Sequence, residues 1–399
     1  MSRISRALVL LSCAAGLAAA GPRELAAQLA PLGPEVQLAT GSSPERPVLA
    51  VQPAGSYVIA WDDLPSRVFA QYVAAGAEPG DQAPALLWTG PNPEVDAVTA
   101  TPQGFDVLWH SLNDLGEPAA FYRRHLNLQG VPAPGRPLLL GRGGLDWVWN
   151  IGGTEYLAGW ILPNKPGIAA RRLDSAGRQT GPVLRLNRRA VEALDTVVVP
   201  LAGGGFVAVW VGDVELGEGE ENDLKVLRAR VFSPAGRPLG PDFDVNTIPP
   251  GIGETVPALS SQFKVAAAPG GGFAVSWQLG QTIYLRFFDA TGHAPAPEVP
   301  AVTAEGAYAP ESMAFDDQGN LLLLWSRFLD DSDLLIQLFD PRGAPLGAAR
   351  EVRSAASGEF DTPRQGSVAW AGNSWLVTWL AGATGQDDRA IFVRRFAEE

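Results

Sequence analysis

A short phrase that ends in tryptophan recurs seven times along the chain and constrains the fold more than any other feature. Each copy runs through Val, Leu, Ala or Phe to the tryptophan, as in GGGFVAVW and GGGFAVSW. The copies end, at intervals of 48, 51, 50, 67, 48 and 54 residues, at Trp61, Trp109, Trp160, Trp210, Trp277, Trp325 and Trp379. Self-similarity at a period of roughly 50 residues indicates a repeat architecture with one supersecondary unit in each repeat.

Each repeat has the pattern of four short antiparallel strands. An apolar stretch such as TVVVP (196–200) precedes a tight turn, the tryptophan strand follows, and a third strand such as VLRARVF (226–232) comes after a loop. The third strand leads into a turn such as DSAG (174–177) or DATG (289–292), which opens with a polar residue and closes with glycine. That chemistry is typical of a type I turn. A fourth strand such as PDFDVN (241–246) completes the unit.

A single four-stranded sheet cannot bury both of its faces, but sheets stacked radially cover each other. The pattern therefore predicts an all-β fold, a seven-bladed β-propeller of four-stranded antiparallel blades over residues 31–399. After the last repeated tryptophan, AIFVRRF (390–396) can form a third strand, but no sequence remains for a fourth. We expect PEVQLAT (34–40), which lies ahead of the first repeat, to complete the last blade and close the ring.

The arrangement resembles the seven-bladed β-propellers of secreted bacterial repeat proteins, and the resemblance covers nearly the whole chain after residue 30. It rests on the repeat pattern alone. The Gly-His…Trp-Asp signature of WD40 repeats, the Asp box of sialidase-type propellers and the repeated double glycine of kelch propellers are absent. No catalytic residues of these families can therefore be transferred to this sequence.

Residues 1–20 have the pattern of an export signal, and residues 21–30 are expected to form a linker. Two arginines precede an apolar run (7–20) that is shorter than the roughly 20 residues of a membrane-spanning helix. Cys13, the only cysteine, makes lipidation an alternative to ordinary cleavage. We expect an exported protein, periplasmic, secreted or attached to the cell surface, without a transmembrane span.

The formal net charge of −13 disfavours nucleic acid as a partner, because an acidic surface repels phosphates. The remaining partner classes are a protein and a polysaccharide, with a monomer as the default oligomeric state. Loop lengths indicate where such a partner would bind. The first-to-second and third-to-fourth connections are short, whereas insertions at 211–224 and 247–261 expand the other two classes. These variable loops share one face, here called the top face, which is the expected binding surface.

The top face carries three groups of candidate binding residues. Acidic side chains near the starts of first strands could ring the channel and attract a cation or a basic partner, or could simply start the strands. Their positions are Asp96, Asp146, Asp195 and Glu311. Aromatic rings could stack on sugars or could pack between blades; they are Trp88, Trp147 and Tyr308. His110 is expected in a top loop.

An acidic insertion is the only candidate metal site, because clustered carboxylates suit Ca²⁺; its spacing matches no known calcium loop, and the alternative is a solvated acidic loop. Its members are Asp213, Glu215, Glu218, Glu220, Glu221 and Asp223. No other cofactor is expected. Zinc-protease, nucleophile-elbow and phosphate-loop motifs are absent, which favours a non-enzymatic binding protein. The alternatives are a carbohydrate-active hydrolase or lyase that uses top-face carboxylates, and a structural or assembly component.

Overall fold

The structure, a computed structural model, describes residues 29–41, 43–162, 167–188, 193–214, 224–247, 263–303, 307–328, 332–353, 360–383 and 389–398. Within these ranges the chain forms 29 strands and no helix, so the described part holds no helix able to cross a bilayer. The strands form seven antiparallel sheets, which confirms the all-β seven-bladed β-propeller. The expected export signal lies outside the described residues.

In blades 1 to 6 the strands follow one another in chain order from the innermost to the outermost. Blade 1 contains β3 (Pro44–Val51), β4 (Tyr57–Asp63), β5 (Arg67–Val73) and β6 (Ala85–Thr89), and blade 2 contains β7 (Pro93–Thr101), β8 (Gly104–Leu112), β9 (Pro118–Asn127) and β10 (Leu138–Arg142). Blade 3 contains β11 (Trp147–Gly152), β12 (Glu155–Ile161), β13 (Ile168–Leu173) and β14 (Gln179–Arg185). Blade 4 contains β15 (Ala193–Pro200), β16 (Phe206–Val214), β17 (Leu224–Phe232) and β18 (Phe243–Asp244).

The remaining three blades follow the same plan. Blade 5 contains β19 (Phe263–Ala267), β20 (Phe273–Leu279), β21 (Thr282–Phe288) and β22 (Val299–Thr303), and blade 6 contains β23 (Ala307–Phe315), β24 (Leu321–Phe328), β25 (Ser332–Phe339) and β26 (Pro345–Glu351). Blade 7 contains β27 (Phe360–Trp370), β28 (Trp375–Ala383) and β29 (Arg389–Glu398), with β1 (Leu29–Pro31) and β2 (Val36–Gly41) on its outer edge. First strands of neighbouring blades contact each other around the whole ring, so they line a central channel.

Apolar side chains pack between neighbouring blades and form seven hydrophobic cores, one at each interface. Six of the repeated tryptophans are at most 2% exposed, and Trp160 is half-buried, so these residues serve packing. Tyr57 and Trp61 of blade 1 pack against Leu380 and Ile391 of blade 7. The ring is therefore closed by a core like those at the other interfaces.

Blade 7 combines strands from both ends of the described chain, as the sequence predicts. β2 pairs with β29 as the fourth strand, with Val36 opposite Val393. β1 extends the same edge, with Leu29 opposite Glu398. The expected fourth strand at 34–40 is confirmed, and a second short strand continues the pairing.

An arginine clamp ties the third strands of blades 4 and 7 to the blade before them. Arg394 of blade 7 donates from Nε to the Gly33 carbonyl (3.2 Å) and from Nη1 to the Val352 carbonyl of blade 6 (3.2 Å). Arg230 of blade 4 donates in the same way to its own lower turn and to the preceding blade. In blade 7 this clamp holds the segment between β1 and β2.

Candidate functional site

Five of the seven innermost strands contain a bulge towards the top face, and each bulge lies beside the repeated tryptophan of the second strand. In blade 2, Val95 pairs with Trp109 and Ala97 with Leu108, which leaves Asp96 as the extra residue. Bulges re-aim side chains and are frequent next to functional sites. The polar residues within the five bulges are Arg46, Asp96, Asp195, Glu311 and Gln365.

The other two blades supply a polar residue at the same level. Asp146 immediately precedes β11, and its backbone N–H donates to the Gly159 carbonyl (2.9 Å). Lys264 is the second residue of β19, beside the pair formed by Phe263 and Trp277. Every blade therefore contributes one polar side chain near the top of the channel. These seven residues, the channel-mouth ring, are Arg46, Asp96, Asp146, Asp195, Lys264, Glu311 and Gln365.

Backbone strain is concentrated in this ring. Of the four described non-glycine residues with positive φ, three belong to it: Arg46 (45°), Asp195 (33°) and Gln365 (49°). This conformation is uncommon for residues with a side chain and persists only where the surrounding structure imposes it. The bulges are therefore fixed parts of the fold, and they hold the ring at one level.

Polar contacts join the ring members of blades 1 and 2. Asp96 Oδ1 lies 2.9 Å from His110 Nδ1, and His110 Nε2 lies 3.5 Å from Glu94 Oε2. Glu94 Oε2 in turn accepts a hydrogen bond from Arg46 Nη1 (2.6 Å). The prediction that His110 lies in a top loop is wrong, because β8 continues past Trp109 and includes it. The four side chains form a chain of alternating negative and positive groups.

Burial and neighbouring charges shift the pKa values of Asp96 and His110. Burial raises the pKa of Asp96, and the hydrogen bond from His110 offsets only part of this effect. For His110, burial acts to lower the pKa, but the hydrogen bond to Asp96 and the charges of Asp96 and Glu94 prevail, so the pKa is raised. Perturbed groups that share a cleft are typical of functional sites.

Asp62 lies behind the same cluster and is 1% exposed. Its Oδ1 accepts the backbone N–H of Val95 (3.0 Å), which ties blade 1 to blade 2. Burial raises the pKa of Asp62 from 3.8 to about 7, against the opposing effects of this N–H and of Arg46. The native state therefore binds a proton at Asp62 that the unfolded chain releases at lower pH.

Replacement of Asp62 by Asn is expected to flatten the pH dependence of stability. Folding raises the pKa of Asp62 to about 7. The contribution of protonated Asp62 to the free energy of unfolding is therefore complete below about pH 4 and is lost as the pH rises through 7. We expect Asp62→Asn, which keeps an acceptor for the Val95 N–H, to match wild type near pH 4 and to exceed it at pH 8 by up to about 4 kcal/mol. Urea unfolding at both pH values measures this. A variant less stable than wild type at pH 8 would refute the assignment.

The ring members of blades 5, 6, 7 and 1 take part in a second set of contacts. Ser326 Oγ donates to Glu311 Oε1 (2.8 Å), and the Arg46 backbone N–H donates to Gln365 Oε1 (3.3 Å). Burial raises the pKa of Glu311, although the hydrogen bond from Ser326 and the positive charge of Lys264 act to lower it. Burial lowers the pKa of Lys264; Glu311 opposes this effect, and Arg46 adds to it. Lys264 therefore interacts electrostatically with both Glu311 and Arg46.

The candidate aromatic residues pack between strands. Trp88 lies against Trp109 and Tyr122, with ring centroids 6.1 and 5.5 Å apart. Trp147 is 9% exposed and covers Gly159, where an added Cβ would lie 2.0 Å from the indole ring. Of the two roles that the sequence allows for these rings, stacking on a sugar or packing, both Trp88 and Trp147 therefore take the packing role. The prediction that Tyr308 lies in a fourth-to-first loop is wrong, because β23 includes it.

Most of the candidate metal residues lie outside the described part of the chain. Asp213 lies in β16, whereas Glu215, Glu218, Glu220, Glu221 and Asp223 lie outside the described residues. In the part of the chain that is described, no group of three His, Cys, Asp or Glu residues is placed to hold a metal ion. The Ca²⁺ hypothesis is thus untested.

Sequence reasoning found the acidic members of the ring but missed Arg46, Lys264 and Gln365. A positional signal was present, because all seven members lie 13 to 15 residues before the repeated tryptophan of their blade. The acidic members stand out in the sequence because they are charged. The property that all seven members share is their distance from the repeated tryptophan.

Comparison with known proteins identifies the fold. No protein-family model matches the chain, and no curated protein is similar to it in sequence. Among solved structures, the polysaccharide lyase Uly1 superimposes with a TM-score of 0.56 at 9% identity, over 88% of this chain and 89% of that one. A protein of unknown function from Dyadobacter fermentans DSM 18053 gives 0.50 at 11% identity, over 93% and 99%. The β-propeller domain of the Trilobed protease from Pyrococcus furiosus gives 0.50 at 9%, over 88% and 94%.

These similarities show the fold alone. At identities of 9 to 11%, they carry no residue roles to this chain. Any function must therefore be argued from the channel-mouth ring itself.

Proposed function

We propose that the channel-mouth ring binds a saccharide chain, as the binding site of an exported, non-enzymatic protein. The observation that carries the proposal is the ring itself, in which all seven blades place a polar residue at one level. Convergent polar groups in a concave site are what fix the orientation of a small ligand. Sugar hydroxyls both donate and accept hydrogen bonds, and the ring offers carboxylates, an amide and cationic donors.

The chemistry of the mouth favours a saccharide over a protein partner. The cores of protein interfaces are enriched in aromatic residues and depleted of charged ones. Here the ring has six charged members, and Trp88 and Trp147 pack between strands. The fold also occurs in a polysaccharide lyase, Uly1, so a propeller of this size is compatible with a saccharide ligand.

Binding to polysaccharides tests the proposal. We expect the purified protein to bind at least one polymer of a panel containing pectate, alginate, hyaluronan, xylan, β-glucan and chitin. Asp195→Ala and Gln365→Ala should each weaken this binding about tenfold, the effect of one lost hydrogen bond worth about 1.4 kcal/mol. Affinity electrophoresis followed by calorimetry measures both effects.

A conservative change on the opposite face serves as the control. Asp340 caps the lower turn of blade 6 through the backbone N–H groups of Arg342 and Ala344, and Asn127 occupies the same position in blade 2. Asp340→Asn should therefore leave binding unchanged. Failure to bind every polymer, or binding that ignores the ring variants, contradicts the proposal.

Catalysis on the same ligand is the second candidate, and the contact between His110 and Asp96 supports it. A histidine held by a carboxylate, close to acids of raised pKa, can transfer protons. The polymers that bind should therefore also be incubated and their products chromatographed. Cleavage by the wild type that is lost in Asp96→Asn would replace the binding function by a hydrolase or lyase; intact polymers would exclude that candidate.

A further inference from the structure

The channel-mouth ring is electrically divided into two arcs. Blades 2, 3 and 4 contribute three aspartates: Asp96, Asp146 and Asp195. Blades 5, 6, 7 and 1 contribute, in order around the channel, Lys264, Glu311, Gln365 and Arg46. The second arc has a cation at each end and an amide beside the arginine. The mouth therefore has an acidic side and a side that contains both of its basic residues.

The two cations are unexpected at this position. The protein is acidic overall, and Lys264 is one of only three lysines. It is partly buried on the innermost strand; burial lowers its pKa, and the positive charge of Arg46 adds to this effect. Like charges that share a partly desolvated site destabilise each other. No packing requirement of the repeat explains the pair, because the other blades place acids or an amide at this level.

The contacts of Arg46 orient it without burying it. Gln365 Oε1 accepts its backbone N–H at 3.3 Å, and Glu94 accepts one of its side-chain N–H groups at 2.6 Å. The side chain nevertheless remains 45% exposed, so the guanidinium faces solvent while one edge is fixed. A held guanidinium is suited to a carboxylate, which it can bind through two parallel hydrogen bonds.

We propose that the ring recognises an acidic saccharide whose carboxylate binds between Arg46 and Lys264. The hydroxyl groups of the same sugar donate to the aspartates of blades 2 to 4. This inference rests on the proposed saccharide binding and specifies its ligand class. It explains why one arc contains both cations and the other arc contains only acids.

Chemical reduction of the ligand carboxylates tests the proposal. Each polymer that binds is compared with its carboxyl-reduced form, which keeps the linkages and replaces every carboxylate by a neutral hydroxymethyl group. We expect reduction to weaken binding at least tenfold. Arg46→Gln and Lys264→Gln should each lower affinity for the native polymer about tenfold or more and lower affinity for the reduced polymer by a smaller factor.

The control removes one positive charge from the opposite face. Arg178 lies in the lower turn of blade 3 with its side chain 79% exposed, and Arg178→Gln should bind like wild type. Equal binding of native and reduced polymers overturns the acidic-saccharide inference and leaves saccharide binding intact. A preference for a neutral or a sulfated polymer, such as carrageenan, overturns it as well. Absence of binding to every polymer removes the proposed function itself.

Discussion

A chain that begins at Pro44, without β1 and β2, is expected not to form a stable propeller. β29 would lose its outer partner along its length, and the clamp of Arg394 would lose the Gly33 carbonyl. Leu29, 4% exposed, would leave the core between blades 6 and 7. The combined cost is comparable to the whole stability of a domain, about 5–15 kcal/mol. Circular dichroism should show no cooperative thermal transition near that of the full chain.

Two controls separate this effect from a general effect of truncation. Removal of residues 1–28 alone should leave the transition in place, because every described strand is retained. A synthetic peptide of residues 29–43, added to the chain that begins at Pro44, should restore the transition by pairing with β29. If the shortened chain melts cooperatively at the original temperature, then ring closure by the N-terminal strands contributes little.

Replacement of Asp106 by Leu is expected to cost about 3–5 kcal/mol, the effect of breaking a buried ion pair. The other six blades have an apolar residue at this position of the second strand, three before the repeated tryptophan. Asp106 is fully buried and contacts Arg123 Nε (3.1 Å), His125 Nδ1 (2.8 Å) and the Tyr156 hydroxyl of blade 3. Leucine would restore the consensus of the repeat but would leave these three groups without their shared acceptor.

Urea unfolding of matched variants measures the cost. Asp106→Asn keeps an acceptor of the same shape and should lose less than Asp106→Leu. Asp244→Ala breaks a comparable contact to Arg228 (3.1 Å), but the carboxylate of Asp244 is 53% exposed, so the loss should stay below about 1 kcal/mol. A stabilised Asp106→Leu would show that the repeat consensus outweighs the polar contacts between blades 2 and 3.

The fold could be predicted because its signals are local and repeated. Turn residues such as Asp174, which accepts the N–H groups of Ala176 and Arg178, mark the lower end of a blade without reference to distant residues. Counting strands after Trp379 was sufficient to assign 34–40 to the last blade. The sequence does not predict β1, because LAP (29–31) is too short to show a strand pattern, and its pairing with β29 depends on residues at the other end of the chain.

The candidate site was predicted less completely because bulges depend on the register between two strands. Asp96 was found because it is acidic and precedes an apolar strand, whereas Arg46 and Gln365 became members only through the bulges of β3 and β27. The location of His110 depends on how far β8 extends beyond Trp109, and hydrophobic pattern alone does not define that boundary.

The bulges have a consequence for how such a protein can change its ligand. The extra residue of each bulge has no opposite neighbour on the second strand, so its side chain can be exchanged without altering strand pairing or the cores between blades. Five of the seven ring positions are of this kind, one on each of blades 1, 2, 4, 6 and 7. A library of variants that changes only these five residues would keep the scaffold constant while it samples a wide range of charge patterns around the channel mouth.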